Sequence, residues 1–256
     1  MKRHLLTEKY EFTYSENHVE THVLWDHHCH ARYEMIGVLE GDISIMLEGR
    51  SYRLTENQLI MIPPLCYHTV TANKEGDYKR ITALFDTQAL PSVLREDFQT
   101  MDTEPVIFTS AALLDMSACF EEKQNPYFVP LIESLMVPLF YSRLQAVPAV
   151  PNQDPDADTF ILKIVEYVDE HLYEKITLEH LARHTARSQS FVCHRFEEKM
   201  GIPPGQYILR KKMACAQKLI KEGQPATLVA AQIGYKNYGT FYRNYTKHFY
   251  KLPSKD

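Results

Sequence analysis

The run AAQIGYKNYGTFYRNYTKHFYKLPS, Ala230 to Ser254, repeats a pattern that the chain has already used once. Ala182, Ser188, Val192, Phe196 and Pro204 are echoed by Ala230, Asn237, Phe241, Tyr245 and Pro253, at an offset of 48 and then 49 residues. Self-similarity at a fixed spacing marks a repeated supersecondary unit. In the first copy, Leu178, Leu181 and Ala182 form the apolar stripe of a short helix. Ser188 is placed to cap a second helix that starts at Gln189, buries Val192 and Phe196, and stops at Gly201 ahead of Pro203 and Pro204. Two short helices joined by a brief turn are a helix-turn-helix. Between the copies, GQYILRKKMACAQKLI reads as a long basic helix with Ile208, Met213, Ala216 and Leu219 toward a core. A rigid connector of this kind would set the two second helices in successive major-groove segments, on the order of 34 Å apart along B-DNA. Just upstream, Ile161, Ile164, Val165 and Val168 line one side of a further helix.

Charge divides the chain at the same place. The net charge of -5 is the sum of -12 over residues 1–158 and +7 over residues 159–256. An acidic half followed by a basic half points to a nucleic-acid partner for the second. The break falls in AVPAVPNQDPDAD, Ala146 to Asp158, whose prolines and lack of apolar periodicity read as a linker. With 256 residues and 45% hydrophobic content, two domains can each hold a core. The five cysteines are odd in number, scattered and never in a C-x-x-C pair, so reduced thiols are expected. No run is long and apolar enough for a membrane span, and the opening MKRHLLTEKYEF lacks a signal-peptide core, which leads to a soluble, cytoplasmic protein.

The first half reads as strands. In MIGVLEGDISIMLEGRSYRLTENQLIMIPP, turns are expected at Glu40-Gly41-Asp42, Glu48-Gly49-Arg50 and Thr55-Glu56-Asn57. Ile43, Ile45 and Leu47 share one face, as do Tyr52 and Leu54. Short, evenly spaced strands of this kind build a sandwich or barrel. Leu113, Leu114, Ala118 and Phe120, then Leu131, Ile132, Leu135, Leu139 and Phe140, suit two helices with Pro126 and Pro130 in the break. Their apolar stripe has two uses open to it, packing on the barrel or pairing with a second subunit.

Within this half, HHCHARYE, His27 to Glu34, concentrates histidines and a carboxylate. His28, His30 and Glu34 project from one face of an unbroken strand, with Ile36 and Val38 beyond them, while His27 faces solvent. His68, in IPPLCYH, could arrive from a neighbouring strand. The spacing resembles the cupin pattern H-x-H-x3-E-x6-G followed by P-x-G-x2-H, with His28, His30, Glu34, Gly41, Pro63 and His68 in place. His22 stands where the first motif has its leading glycine, and Asn57 and Leu65 replace the two glycines of the second. Three imidazoles and a carboxylate suit Fe, Mn, Zn or Ni. The same groups would equally hold a hydroxylated small molecule by hydrogen bonds.

The stretch from Ile176 to Ser254 is similar to the C-terminal signature of the AraC/XylS family of bacterial transcription regulators, and the resemblance extends over nearly the whole chain. It implies an α+β protein of two domains: a cupin-like β-barrel that senses an effector (residues 1–109) with a helical dimerisation region (110–145), then a linker (146–158) and an all-α double helix-turn-helix (159–256). The implied DNA readers are Gln189, Ser190, Cys193 and His194 on the first second-helix, and Tyr238, Gly239, Tyr242, Arg243 and Lys247 on the other. Arg243 suits guanine O6/N7, whereas Lys247 and the connecting helix, through Arg210, Lys211 and Lys212, suit phosphates. Half-buried packing is the competing reading for Tyr238 and Tyr242. Thr185-Ala186-Arg187 departs from the family's aliphatic-glycine-aliphatic turn, His194 takes the usual arginine position, and Tyr250 stands where a helix-ending glycine is expected.

The expectation is therefore a DNA-binding transcription regulator, an activator, that works as a homodimer with double-stranded DNA and RNA polymerase. A DNA-binding half downstream turns His28, His30, Glu34 and His68 into an effector pocket, with a sugar among the candidate ligands and with no metal, no cofactor and no catalysis. The alternative is a metal-dependent cupin enzyme carrying a DNA-binding module.

Overall fold

The computed structural model describes residues 1–20, 28–100, 105–121, 127–147 and 159–253. Among the described residues, the first half supplies nine strands: β1 (Lys2–Leu6), β2 (Tyr10–Val19), β3 (Tyr33–Glu40), β4 (Ile43–Leu47), β5 (Arg50–Leu54), β6 (Gln58–Ile62), β7 (His68–Ala72), β8 (Gly76–Phe85) and β9 (Val106–Thr109). They form a six-stranded sheet in the order β1-β2-β8-β3-β6-β9 and a three-stranded sheet in the order β5-β4-β7, with antiparallel pairing in both. The expected barrel is thus corrected to two open sheets packed face to face. The three expected turns separate β3, β4, β5 and β6.

Every residue from Tyr33 to Val38 is buried, because β3 lies in the middle of the larger sheet with both faces covered. Its even face, Ile36 and Val38, packs between the sheets against Ile45, Leu54 and Ile60. Its odd face, Tyr33 and Met35, packs against helices. Those helices are α1 (Arg95–Thr100), α2 (Ala112–Glu121), α3 (Phe128–Ser134) and α4 (Met136–Gln145). Among the described residues, the expected pair of helices after Ser110 is therefore three. Pro130 lies in the first turn of α3, where no intrahelical N–H is needed, and Pro126 lies outside the described residues. The buried stripe of α2 is Ala112, Leu113, Met116 and Phe120, while Leu114 and Ala118 face outward. Leu114, Tyr127, Leu131, Val137 and Tyr141 leave apolar surface exposed on this helical layer.

The second half is helical: α5 (Thr159–Glu170), α6 (Leu178–Thr185), α7 (Gln189–Met200), α8 (Pro204–Lys221), α9 (Ala226–Gln232) and α10 (Tyr238–Phe249). Thr177, Ser188 and Asn237 cap α6, α7 and α10, each accepting a hydrogen bond from the backbone N–H three residues on. α7 ends at Gly201 with φ 72°, and α10 ends at Tyr250 with φ 56°, so the tyrosine adopts the left-handed conformation expected of a glycine. Val192, Phe196, Met213, Phe241 and Tyr245 meet in one core with the stripe of α5. The linker expected over 146–158 lies, from residue 148 onward, outside the described residues. Among the described residues, no helix is long and apolar enough to cross a membrane.

The halves share a core. Cys29 and Tyr67 of the sheet half belong to the same buried cluster as α5 and α8. A Cβ on Gly49, in the β4–β5 turn, would sit 2.9 Å from a methyl of Ile161.

Candidate functional site

Two surfaces carry chemistry. In the sheet half, His28, His30, Glu34 and His68 converge as their spacing suggests, though not from one unbroken strand. β3 begins only at Tyr33, and His28 instead forms an isolated antiparallel bridge with His68, its N–H donating to the His68 carbonyl and receiving one in return. The chain then bends through Ala31 and Arg32, which turns His30 back over Glu34. His22 and His27 lie outside the described residues. The Nε2 atoms of His28, His30 and His68 lie 3.4, 2.9 and 3.0 Å from one carboxylate oxygen, Oε2 of Glu34. Nδ1 of His30 donates to the Arg32 carbonyl and Nδ1 of His68 to the Cys66 carbonyl. His68 is fully buried and Glu34 nearly so, while the His28 side chain is 45% exposed and forms the rim.

Burial opposes the Glu34 charge, but the three imidazoles around it hold its carboxyl well below the usual carboxylate range. Burial lowers the His68 imidazole, outweighing the attraction of Glu34. The glycine positions that the sequence fills otherwise keep glycine's geometry: Asn57 has φ 62° and Leu65 φ 66°. The Leu65 N–H donates to the His30 carbonyl, which fixes the loop before His68 against the histidine segment.

The second surface lies on α7 and α10. Each second helix buries one side, Val192 and Phe196 or Phe241 and Tyr245, and so presents the other. Gln189, Ser190 and His194 are exposed and Cys193 half-buried; Tyr238, Gly239, Tyr242, Arg243 and Lys247 are all exposed. Tyr238 and Tyr242 stand 6.3 Å apart, ring to ring, on the open face of α10. Among the described residues, Arg243 reaches back to the Thr240 hydroxyl.

The connecting helix requires a correction. Arg210 is half-buried, but Lys211 and Lys212 are buried and do not face a phosphate backbone. Lys211 Nζ lies 2.7 Å from Glu48 Oε1 and 2.7 Å from Asp169 Oδ1. Burial works against its charge, and the two carboxylates outweigh this and raise it above the ordinary lysine value. Lys212 donates to the carbonyls of Leu172, Glu174 and Ile233, tying α8 to the end of α9 and the segment after α5. Sequence reading missed the group around Lys211. Glu48 accepts from the Tyr67 N–H (2.7 Å), the Tyr207 hydroxyl and Lys211, and the Tyr67 and Tyr207 rings meet edge to face at 5.3 Å. Glu48 and Lys211 are 163 residues apart, so no local pattern links them.

The profile of the AraC-like ligand binding domain matches residues 9–147, and that of a helix-turn-helix domain matches residues 181–256. The chain belongs to the AraC family of transcription regulators. The HTH-type transcriptional regulator YobQ of Bacillus subtilis is 20% identical to this AraC-family chain over 88% of its length and 85% of YobQ. The XylDLEGF operon transcriptional activator of Pseudomonas putida is 30% identical over 36% of this chain and 30% of its own. Against the first curated relatives the match covers 38% and 32% of their length. The crystal structure of ToxT from Vibrio cholerae O395 superposes with a TM-score of 0.42 at 11% identity, over 97% of each chain. The two matches divide the chain into an AraC-like ligand binding domain and a helix-turn-helix domain.

Proposed function

We propose that this AraC-family regulator activates transcription as a homodimer in the bacterial cytoplasm, contacting RNA polymerase while its two helix-turn-helix units hold successive turns of one duplex. Its domains divide at residues 109, 145 and 158. The carrying observation is the pair of capped second helices, α7 and α10, each with a buried apolar side and an exposed polar one, on either side of a single rigid helix. Arg243 reads guanine, and Gln189, Ser190, Cys193, His194, Tyr238, Gly239 and Tyr242 make the remaining base-edge and sugar contacts. Arg210 and Lys247 meet phosphates. His28, His30, Glu34 and His68 form the effector site, and the effector acts by binding one arrangement of the halves better than another. The chain senses rather than catalyses. The open apolar face of α2 to α4 forms the dimer contact.

Nuclease footprinting of the full-length protein on DNA fragments from its own genome tests this. Each protomer is expected to protect two segments whose centres lie about 10 base pairs apart. A single protected segment per protomer would remove the two-unit reading.

A further inference from the structure

The turn between β4 and β5 is shaped to enter the helical half. Glu48 and Gly49 occupy it at φ 47° and 83°, and a glutamate in the left-handed region carries a backbone cost that its docked contacts offset. Gly49 sits in a notch of α5 and α7, where a Cβ would lie 2.9 Å from an Ile161 methyl and 3.7 Å from Met200 Sδ. The Glu48 carboxylate reaches on to α8. Its Oε1 lies 2.7 Å from Lys211 Nζ and its Oε2 accepts from the Tyr207 hydroxyl, while Asp169 of α5 meets Lys211 from another side at 2.7 Å. A line of rings runs beside it. Tyr67 meets Tyr207 at 5.3 Å, and Tyr207 meets Phe196, on the buried side of α7, at 5.2 Å.

Such a group fixes a geometry without holding it tightly. One ammonium, 4% exposed, serves two carboxylates, and the desolvation of three charges offsets much of their attraction. At the far end of α8, Lys221 lies 3.9 Å from Asp86, an open pair that contributes little. Charge then makes the docking matter to one helix-turn-helix unit more than to the other. The +7 of the helical half divides into -1 over residues 159–201, which hold α5 to α7, and +8 over residues 202–256. The first unit has no net attraction for a polyanion and carries the acidic sheet half at its side. α8 and the second unit hold the whole basic excess.

We propose that the β4–β5 turn is a latch through which the sheet half restrains the first helix-turn-helix unit, so that α10 anchors the protein on DNA and α7 engages fully only when the latch opens. Two short segments link the latch to the candidate effector site. Cys29 and Tyr67, which pack in the helical core, alternate along the chain with His28, His30 and His68. The Tyr67 N–H donates to Glu48 Oε1 at 2.7 Å, and the Tyr67 carbonyl accepts from the Glu48 N–H at 3.0 Å. A shift of the segment that carries His68 therefore moves the latch itself. The consequence for DNA rests on the regulator reading; the docking of the turn on the first unit does not.

An engineered disulfide in the full-length chain tests this. The Cβ position at Gly49 lies 3.8 Å from Ile161 Cβ, which matches the mean separation of about 3.8 Å in disulfides. Gly49→Cys combined with Ile161→Cys should form, under oxidised glutathione, one cross-link per folded chain that the wild type treated alike lacks. Glu48→Gly supplies the released form, since it removes the carboxylate and suits the left-handed turn. Without DNA, the cross-linked form should exchange amide hydrogens more slowly than Glu48→Gly at residues 159–169 and 196–211, and equally at 226–249. Failure to cross-link in the folded chain, or slowing that extends equally over 226–249, overturns the proposal. On a DNA fragment selected from the genome, the α10 segment is the one whose preference changes in Arg243→Ala. The cross-linked form should need at least about fivefold more protein than its own reduced form to protect the other segment, with the α10 segment unchanged. Glu48→Gly should need less than the wild type. Equal shifts at both segments, or none, overturn the restraint of the first unit. A wild type that protects no DNA counts against the regulator reading, and cross-linking and exchange still decide the latch.

Discussion

Ala186 shows how a single residue can carry a departure from its family without unmaking the fold. It ends α6 at φ 52°, in the place that the second unit gives to Gly234, where a Cβ would lie 2.8 Å from the Glu174 backbone. The first unit has room for the methyl group and retains the backbone cost of a left-handed alanine. Ala186→Gly should therefore stabilise the protein by up to about 1 kcal/mol, the relief of that cost less the extra freedom glycine gives the unfolded chain. Thermal unfolding checks this, and a fall in midpoint would mean that the turn is not strained. Leu65 and Asn57 are of the same kind: they stand at motif glycines and keep a glycine-like φ. Such residues are legible in sequence as departures. Whether the backbone would change or hold was not, because the answer lies in what surrounds each turn.

At the scale of the element, α8 and α10 separate two roles that look alike in sequence. Lys211 and Lys247 both lie in basic helices, yet Lys247 is exposed and Lys211 is buried between Glu48 and Asp169. Lys247→Ala should weaken binding to all DNA sequences alike and reduce the slope of log affinity against log salt by about 1. Lys211→Ala should leave that slope unchanged. It should instead destabilise the protein by about 3 kcal/mol, because two carboxylates lose their buried partner. Salt titrations of DNA affinity, paired with denaturant unfolding, distinguish the two; equal slopes for wild type and Lys247→Ala would remove Lys247 from the phosphate contacts. The helices themselves were readable from Val192, Phe196, Phe241 and Tyr245, since a 3.6-residue period and a cap are local properties. The α2 stripe was only half readable. Leu113 and Phe120 are buried as expected, but Met116 takes the place assigned to Leu114 and Ala118, because the rotation of a helix about its axis is set by the sheet it packs on.

For the whole molecule, the charge division and the linker composition separated an acidic sensing half from a basic helical half. What they could not show is that the halves share a core at Cys29, Tyr67 and Tyr207, since contacts between residues far apart in sequence leave no periodic trace. The candidate effector site was legible in its residue types and spacing; the bend at Ala31 and Arg32 that assembles it was not. The exposed Leu114, Val137 and Tyr141 belong to this scale too, because apolar surface of this kind on a helical layer suits a second subunit. Leu114→Asp combined with Val137→Asp should shift the protein from dimer to monomer in light scattering after size-exclusion chromatography. A dimeric wild type whose mass is unchanged by the two substitutions would exclude this face as the proposed dimer contact.

The central claim is sequence-specific DNA binding through the exposed faces of α7 and α10. Selecting fragments of the host genome on purified wild-type protein and on Arg243→Ala measures it directly. The wild type should enrich a small set of fragments sharing a two-part motif, and Arg243→Ala should still bind DNA but lose the preference at one guanine of that motif. No common motif among the wild-type fragments, or an identical motif from Arg243→Ala, would contradict the account.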